Sequence, residues 1–372
     1  MKILQITYES FGSPFGFGGA GFRAYEIYRR LRDRHQITFL CMRYPGARDG
    51  EIQGIDHIFV GRETGSLTGS VLSYTLKSAR FVRKYGADYD VIVENFLPST
   101  PFFSRFLTST PVILQVQGIM EGHALAKFRF YHSFPMFLCE KFYPGLYDRF
   151  IFVSPVTREK VMAGVKRKIR QCRTISNGVD EELLHTPPQQ GNYVLFFSRI
   201  DRYTKGLDVL LSAFSLLAPA FPETTLILAG YEFNPFRDLV AGLPDFLKSR
   251  VRYAGFVSGR EKRQLLAGAK VVVLPSRHES APVSILEAAA CGKPVVVSDI
   301  KELKFVAEHG FGLDFPSGSA EGLKDRLELI LSDDDLRQSL GTRGREYAGH
   351  FLWSSVAAEF ESALLSTQHE KE

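Results

Sequence analysis

The residues whose spacing most clearly indicates a chemical role in this chain are two glutamates, Glu279 and Glu287. Glu279 falls in a loop after the apolar segment Lys270–Leu274. Glu287 falls on the short helix predicted next, before a second apolar segment at Pro294–Val297. Strand, loop, helix and strand form a βαβ unit, in which ligands gather where strands end and helices begin. A helix start that binds anions, flanked by two carboxylates, suits a ligand with phosphates and hydroxyls, such as a nucleotide sugar.

The segment from Pro275 to Ser298, PSRHESAPVSILEAAACGKPVVVS, resembles the signature of the retaining glycosyltransferases of family 4. The family pattern reads P-S-x-x-E-(G/S)-x-x-x-x-x-L-E-A-x-A-x-G-x-P-V-V. This chain matches it at Pro275, Ser276, Glu279, Ser280, Leu286, Glu287, Ala288, Ala290, Gly292, Pro294 and Val295. Many members have Gly-Phe-Gly after the first glutamate. This chain has Ser280-Ala281-Pro282, a variant that the family also contains. The alternative is that both glutamates are solvated charges beside a turn.

The resemblance implies an α/β protein of the GT-B fold, with two doubly wound, Rossmann-like domains that face each other across a cleft. It also implies a retaining hexosyltransferase that moves a sugar from a UDP- or GDP-sugar to a hydroxyl acceptor in glycan, glycolipid or polysaccharide synthesis. Glu279 is then the catalytic candidate that orients the sugar, and Glu287 holds the ribose hydroxyls. The amides of Val283 and Ser284 are further hydrogen-bond donors to the nucleotide sugar, whereas Pro282 has no N–H.

Arg199 and Lys205 form a second pair whose spacing suits a shared chemical role. Both lie in the loop predicted to follow the strand Tyr193–Ser198. Arginine offers a planar fork and lysine a point charge, so both can converge on one diphosphate. The diphosphate is the leaving group when the sugar is transferred, and neutralising it assists the reaction. The resemblance implies the same role. With these cations in place we expect no divalent metal, and no cofactor apart from the nucleotide-sugar substrate.

A glycine-rich segment follows the first predicted strand and opens a helix at Phe22–Arg34. The resemblance places Gly18 and Gly19 where the backbone approaches the donor phosphates or the acceptor. Gly16, Gly18 and Gly21 also spell G-x-G-x-x-G, the dinucleotide-binding fingerprint. An NAD(P)-dependent oxidoreductase is therefore an alternative. In dinucleotide-binding folds, however, the first glycine follows its strand almost at once, and here it does not.

Other positions take their candidate roles from the resemblance. Gly230 and Val257 follow predicted strands at the place where the family holds the nucleotide base, and Asn177 begins the N-G-V-D string of the domain junction. Many members have a histidine near the transferred sugar where this chain has Gln117, which cannot act as a general base. His123 lies six residues further on. It either occupies that space or is an ordinary surface residue.

Strand and helix patterns alternate throughout, which predicts parallel sheets covered by helices. The predicted strands are Ile3–Thr7, Ile37–Cys41, His57–Val60, Val91–Glu94, Val112–Val116, Phe150–Ser154, Tyr193–Ser198, Thr225–Ala229, Val251–Phe256, Val271–Leu274 and Val295–Ser298. We predict an acceptor-side domain over 1–176, a nucleotide-sugar domain over 177–350, and a terminal helix over 351–372 that packs on the first domain through Trp353. The alternative places Trp353 in the core of the second domain. Thr186–Asn192, rich in Pro and Gln, is predicted as a linker.

Charge is distributed unevenly. Residues 1–180 carry 25 Lys and Arg against 15 Asp and Glu, whereas residues 181–372 carry 21 against 26. A basic N-terminal half indicates a phosphate-bearing acceptor, an acidic glycan or an anionic membrane surface, or else a solvated face without a partner. The aromatic and basic segment Phe128–Phe150 suits either a membrane contact or core helix and loop. We expect no nucleic-acid partner, because no recognised binding motif accompanies the excess charge.

None of the four cysteines stands in a Cys-x-x-Cys pair, so we expect neither a zinc site nor a disulfide framework. So few cysteines are consistent with a protein of the reducing cytoplasm. The start MKILQITY predicts a strand and not a signal peptide, and no apolar run approaches the ~20 residues of a membrane span. We therefore expect a cytoplasmic protein, and leave two alternatives for its basic N-terminal domain: peripheral contact at the inner face of the membrane, or a solvated face without a partner. A non-catalytic subunit that binds nucleotide sugars is the alternative to an enzyme.

Overall fold

The structure, a computed structural model, describes residues 1–10, 13, 18–62, 67–123, 130–189 and 191–367. It consists of two compact units. The N-terminal unit comprises Met1–Asn177 and the terminal segment from Trp353, and the C-terminal unit comprises Gly178–Leu352. Thr186–Asn192, predicted as a linker, instead lies inside the C-terminal unit. There the amide of Gln189 donates to the carbonyl of Ala267 at 3.1 Å.

The N-terminal unit is built on one sheet, to which the described residues contribute eight strands in the order β3-β4-β2-β1-β5-β6-β7-β8. The strands are β1 Lys2–Ile6, β2 Gln36–Met42, β3 Gly50–Ile52, β4 Ile55–Val60, β5 Val91–Phe96, β6 Val112–Val116, β7 Arg149–Phe152 and β8 Gln171–Thr174. All pairs are parallel except β3 with β4. The central strands are buried and largely apolar, as expected where helices cover both faces, with Gln5, Glu94, Asn95 and Gln115 as buried polar residues.

Five helices of this unit fall within its described residues. They are α1 Gly19–Tyr28, α2 Leu67–Tyr85, α3 Phe130–Phe142, α4 Pro155–Met162 and, numbered last in the chain, α14 Trp353–Leu365. Helix α14 packs on α1, where the Trp353 ring meets the Phe22 ring edge-on at 5.9 Å between centroids. Trp353 is buried in the core of the N-terminal unit, which confirms the expected return of the terminal helix.

The aromatic segment Phe128–Phe150 divides in two. Tyr143, Tyr147 and Phe150 are buried in the core, which agrees with the core alternative for that half. Phe134, Leu138 and Phe142 are exposed on α3. Phe128 lies outside the described residues. None of the helices in the described part of the chain combines the length and apolar composition needed to cross a membrane.

The C-terminal unit contains a sheet whose described strands are all parallel and stand in the order β11-β10-β9-β12-β13-β14. They are β9 Tyr193–Phe197, β10 Thr225–Ala229, β11 Val251–Gly255, β12 Val271–Leu274, β13 Val295–Ser298 and β14 Gly312–Phe315. Its helices are α5 Glu181–Leu184, α6 Leu207–Leu217, α7 Phe236–Val240, α8 Asp245–Lys248, α9 Gly259–Gly268, α10 Val283–Ala290, α11 Phe305–Glu308, α12 Ala320–Ser332 and α13 Asp334–Gly349.

Every strand predicted from sequence is present, with ends that differ by a residue or two. Strands β3, β8 and β14 were not predicted, because each is short and lacks a continuous apolar run. Helix α1, expected to reach Arg34, ends at Tyr28. The polar region Glu328–His350 contains a helix break, since Asp333 begins α13 by accepting a hydrogen bond from the Leu336 amide at 2.8 Å.

Candidate functional site

The order of strands brings the candidate residues of the C-terminal unit together. From β9 the chain moves to β10 and β11 on one side, and returns to β12, β13 and β14 on the other. The strands β9 and β12 are parallel neighbours, so their carboxyl ends open a crevice between diverging connections. Ligands of open α/β sheets bind at such a switch point. Arg199 and Lys205 follow β9, and Glu279 follows β12, so all three stand at this edge.

Lys205 and Glu279 form an ion pair at the switch point. The Lys205 Nζ lies 2.5 Å from the Glu279 Oε1, and the Ser276 hydroxyl donates to the same oxygen at 2.6 Å. Glu279 is only 7% exposed. A carboxylate so removed from water needs hydrogen-bond partners, and the ammonium group and the hydroxyl provide them. Their sequence motifs indicate separate roles, toward phosphate and toward sugar, and do not predict that the two side chains touch.

Glu287 forms a second lysine–glutamate pair. It lies on the buried side of α10 with 6% of its surface exposed, and its Oε1 is 2.7 Å from the Lys262 Nζ of α9. Lys262 was not predicted as a site residue. Because α9 carries other cations in succession, such as Arg260 and Arg263, its sequence alone does not distinguish Lys262 from a solvated charge.

Arg199 stands at the end of β9, with 44% of its side chain exposed. Its Nη2 is 3.0 Å from the Asp201 Oδ2, and its guanidinium lies over the Phe233 ring at 5.4 Å from the centroid. Asp201 is buried and also accepts a hydrogen bond from the Thr204 amide at 3.0 Å. These contacts fix the direction of a planar, bidentate cation that still reaches solvent.

Arg277 and Asp208 clamp the loop after β12 to the first turn of α6, which follows the loop after β9. The two guanidinium nitrogens of Arg277 lie 2.8 and 2.7 Å from the two carboxylate oxygens of Asp208, and the guanidinium also lies over the Tyr203 ring. The Arg277 amide donates to the Thr204 carbonyl at 3.0 Å. The clamp therefore holds the loop of Glu279 against the loop of Lys205.

Electrostatics strengthen this clamp. Burial alone raises the pKa of the Asp208 carboxyl, but the hydrogen bond and charge of Arg277 outweigh it, so the pKa is lowered. The hydrogen bond to Asp208 raises the pKa of Arg277. Since the folded-state pKa of Asp208 is below the ordinary value of about 3.9, the pair contributes stability above that value. That contribution is lost only as the pH falls through the lowered pKa.

Two glycines let neighbouring loops approach. Gly206 begins α6 with a φ of +65°, and a Cβ there would overlap the carbonyl oxygen of Pro275. Gly230 has a φ of +144°, and a Cβ would overlap the carbonyl oxygen of Ser198. The Gly230 amide donates to Gly255 and its carbonyl accepts from the Tyr253 hydroxyl, each at 2.8 Å. The structure thus gives Gly230 a packing role, and its predicted contact with the base stays a prediction.

The other candidates of this unit are backbone groups. Val283 is the first residue of α10 and Ser284 the second, and Pro282 before them provides no side-chain cap. The first amides of a helix have no partner within it, so they suit an anion. Val257 buries its side chain in the core, which leaves the main chain for the predicted base contact.

In the N-terminal unit the glycine-rich start of α1 binds the carboxylate of Glu9, which is not among the site residues predicted from the sequence. The Glu9 Oε2 accepts hydrogen bonds from the Gly18 amide at 3.1 Å and the Gly21 amide at 2.5 Å. A Cβ on Gly18 would crowd Glu9, whereas Gly19 is exposed and a Cβ there would have none of the described atoms within 4 Å. Gly16 lies outside the described residues.

The remaining candidates also belong to the N-terminal unit. Gln117 follows β6 and donates to the Ala20 carbonyl at 3.3 Å and to the Asn95 Oδ1 at 3.1 Å, so it adjoins the start of α1. Asn177 accepts a hydrogen bond from the buried Arg23 at 3.0 Å. His123 ends a turn in which its amide donates to the Met120 carbonyl. The ligand roles of Gln117, Asn177 and His123 stay predictions.

Two family models cover most of the chain. Residues 17–183 match the model "Glycosyltransferase Family 4", and residues 184–347 match "Glycosyl transferases group 1". The chain is 32% identical over 390 residues to the phosphatidyl-myo-inositol mannosyltransferase of Mycolicibacterium smegmatis, with 96% of this chain and 92% of that protein covered. The chain belongs to glycosyltransferase family 4. This membership confirms the family resemblance and removes the oxidoreductase alternative.

Further comparisons differ in extent. The phosphatidyl-myo-inositol mannosyltransferase of Mycobacterium leprae is 31% identical over 194 residues, so the chain spans 51% of that relative's length. The structure of Anabaena HepE in complex with UDP-glucose matches 98% of this chain and 100% of its own, with a TM-score of 0.77 and 20% identity. That likeness shows the GT-B fold, as predicted.

The clamp yields a test. Arg277→Lys keeps the charge but loses the planar fork, and Asp208→Asn removes the partner charge. We expect each change to weaken nucleotide-sugar binding and turnover together by about 10-fold or more, because a charge-assisted hydrogen bond contributes about 1.5–3 kcal/mol. Calorimetry and nucleotide release measure the two effects. Lys248→Met, which breaks the exposed pair with Asp245, is the matched control. Folded variants with the parent's affinity and turnover would show that the clamp does not position the site.

Proposed function

We propose that this family 4 member is a retaining hexosyltransferase that uses a UDP- or GDP-sugar and a hydroxyl acceptor in glycan, glycolipid or polysaccharide synthesis. The observation that carries the proposal is the set of two lysine–glutamate pairs at one sheet edge, Lys205 with Glu279 and Lys262 with Glu287, next to the start of α10. The lysines can donate hydrogen bonds to phosphate oxygens, and the carboxylates can accept hydrogen bonds from sugar and ribose hydroxyls. Both groups stand at one sheet edge, which matches the chemistry of a nucleotide sugar. The UDP-glucose complex of HepE and the names of the mannosyltransferase relatives agree with this ligand class.

In the proposed reaction, Arg199, Lys205 and the first amides of α10 bind the diphosphate. An ammonium group has three donors, so Lys205 can serve a phosphate oxygen without leaving Glu279. Glu279 then accepts hydrogen bonds from sugar hydroxyls and orients the donor. Glu287, fixed by Lys262, accepts from the ribose hydroxyls.

The transfer itself breaks the bond between the anomeric carbon and the phosphate oxygen. The acceptor oxygen bonds to the same face of that carbon, which retains the configuration. The acceptor's proton passes to the departing nucleoside diphosphate. This route needs no protein base at Gln117, and cations with helix amides stabilise the negative charge that develops on the leaving group.

We further propose that turnover requires no divalent metal. Asp-x-Asp strings do occur, at Asp333–Asp335 and at Asp88–Asp90. The first lies at the start of α13, where Asp333 accepts a hydrogen bond from the Leu336 amide, and the second precedes β5 and so lies at the opposite end of the strands from the ligand edge. There the Asp90 carboxylate accepts a hydrogen bond from the Lys2 amide at 2.7 Å. The diphosphate is instead matched by Arg199 and Lys205.

The acceptor is assigned to the N-terminal unit, around Gly19, Gln117, His123 and Asn177. A glycan or lipid-linked hydroxyl acceptor, a cytoplasmic location and peripheral contact with the inner membrane face belong to the same proposal. A non-catalytic nucleotide-sugar binder is the competing function, and turnover separates the two.

A donor panel tests the function. The protein is incubated with UDP- and GDP-sugars in EDTA, and nucleotide release is measured with the anomeric configuration of any product by NMR. We expect release from one donor, unaffected by EDTA, with retention. Binding without release would favour the non-catalytic alternative. An inverted product or activity that returns only with Mg²⁺ or Mn²⁺ would overturn the corresponding part of the mechanism.

Substitutions of Glu279 and Glu287 should affect different measurements, because the two glutamates are proposed to bind different parts of the donor. Glu279→Gln should reduce turnover far more than UDP or GDP affinity, because the free nucleotide lacks the sugar. Glu287→Ala should weaken UDP or GDP binding by about 10-fold or more, since the ribose is always present. Glu321→Gln, an exposed change on α12, is the control. The roles are exchanged if Glu279→Gln lowers nucleotide affinity while Glu287→Ala retains it.

A further inference from the structure

Two lysines stand side by side at the amino ends of two neighbouring strands in the C-terminal sheet. Lys270 directly precedes β12, and Lys293 lies two residues before β13. The two strands pair in parallel with Val272 opposite Val295, so counting back two positions places Lys270 opposite Lys293. Neighbouring strands are about 4.8 Å apart. The two cations therefore share the end of the sheet that is opposite to the proposed nucleotide-sugar site.

Helix α13 brings two arginines to the same end of the sheet. Gly341 packs so closely on the turn after α10 that a Cβ there would overlap the carbonyl oxygen of Gly292. Arg337 and Arg345 lie four positions before and after Gly341, so both are on the face of α13 that meets this turn. The Arg345 Nη2 accordingly donates to the Cys291 carbonyl at 3.2 Å, in the turn that leads to β13.

Lys293 is a buried cation. It is 9% exposed, and its ammonium group has neither a hydrogen bond nor an ion pair with any described residue. The ammonium group of Lys270 likewise has no such partner among the described residues. The Lys293 Nζ is not one of the described side-chain atoms that are both sealed from solvent and unbonded, so it borders an opening that a ligand can enter. An ammonium group has three donors and is costly to bury with none of them bonded.

The cations at this end of the sheet repel one another. Burial is the main cause that lowers the pKa of Lys293, and the charges of Arg345 and Arg337 lower it further, against a raising effect of Cys291. Burial and then the charge of Arg337 lower the pKa of Lys270. Like charges disfavour the protonated form of a lysine, and a bound anion favours it. The arrangement therefore favours an anion among these side chains.

Arg337 differs from the other three cations because it already has partners. It forms an ion pair with Asp334 and donates to the carbonyls of Ile330 and Leu331 at 2.7 and 3.1 Å, at the end of α12. The nearby charge of Asp333 also acts on it. The remaining three cations form no ion pair with any carboxylate in the described part of the chain. Their positive charge is therefore uncompensated.

We propose that Lys270, Lys293 and Arg345 bind a phosphoryl group, as inorganic phosphate or as a phosphate monoester, at the amino ends of β12 and β13. A phosphate dianion has enough oxygens to accept hydrogen bonds from both ammonium groups and the guanidinium at once. A carboxylate carries a single charge and fewer oxygens, so it matches three cations less well. The inference goes beyond the proposed function and does not depend on sugar transfer.

Calorimetry of the whole protein with inorganic phosphate, and separately with glycerol phosphate, tests this site at an ionic strength kept constant with chloride. The parent should bind at least one of the two anions, and the tighter one identifies the source of the phosphoryl group. Lys270→Met and Lys293→Met should each weaken that binding by about 10-fold or more, because each removes a charge-assisted hydrogen bond. Lys304→Met, which removes an exposed lysine of the same unit, should bind as the parent does.

Thermal unfolding separates a ligand site from a structural role. Without phosphate, Lys293→Met should unfold at the same temperature as the parent or higher, because it removes an unpaired buried charge. With the bound anion in excess, the parent should gain stability and Lys293→Met should not.

Three results would overturn the proposal. The first is a parent that binds neither anion. The second is a Lys293→Met variant that is less stable than the parent but keeps the parent's affinity for the anion. The third is anion binding that is lost in Lys205→Met and retained in Lys293→Met, because the anion would then occupy the proposed nucleotide-sugar site. Binding that depends on Lys293 in a protein that binds no nucleotide sugar would support this site and refute the proposed function.

Discussion

The pairing of Lys205 with Glu279 is the interaction on which the C-terminal site depends. A carboxylate that is 7% exposed is costly to bury without hydrogen-bond partners, and its contact with Lys205 requires that the two loops that carry the pair meet. Gly206 permits that approach because only a glycine fits against the carbonyl of Pro275. The fork of Arg277 on Asp208 then holds it. The site is therefore a property of two neighbouring strand ends and not of either motif alone.

In the N-terminal unit another carboxylate likewise holds a loop in place through hydrogen bonds. Glu9 binds two amides at the start of α1, and Gln117 reaches the same turn from the end of β6. Below this turn, Arg23 ties α1 to Asn177, the last residue of the unit before the chain leaves it. Hydrogen bonds thus join α1 to Glu9 and Gln117 near its start and to Asn177 at the end of the unit.

Much of the fold was predictable, because buried parallel strands such as Val271–Leu274 are continuous apolar runs with clear ends. The short strands β3, β8 and β14 carry no such signal. The sequence motifs identified Arg199, Lys205, Glu279 and Glu287 as site residues. The contact of Lys205 with Glu279 could not be predicted from the sequence. Lys205 and Glu279 are separated by 74 positions, and their contact depends on the pairing of β9 with β12. Lys262 was missed because its helix also carries Arg260 and Arg263, and one cation among several resembles a solvated charge.

The most direct test of the account is the affinity of Lys205→Met and Arg199→Ala for nucleotides, measured by calorimetry with Lys248→Met as the control. The account predicts that each variant binds UDP or GDP about 10- to 100-fold more weakly, since a charge-assisted hydrogen bond contributes about 1.5–3 kcal/mol. Binding of uridine or guanosine, which lack the diphosphate, should be unchanged. Variants that remain folded and bind UDP and GDP as tightly as the parent would contradict the assignment of the diphosphate to this edge of the sheet.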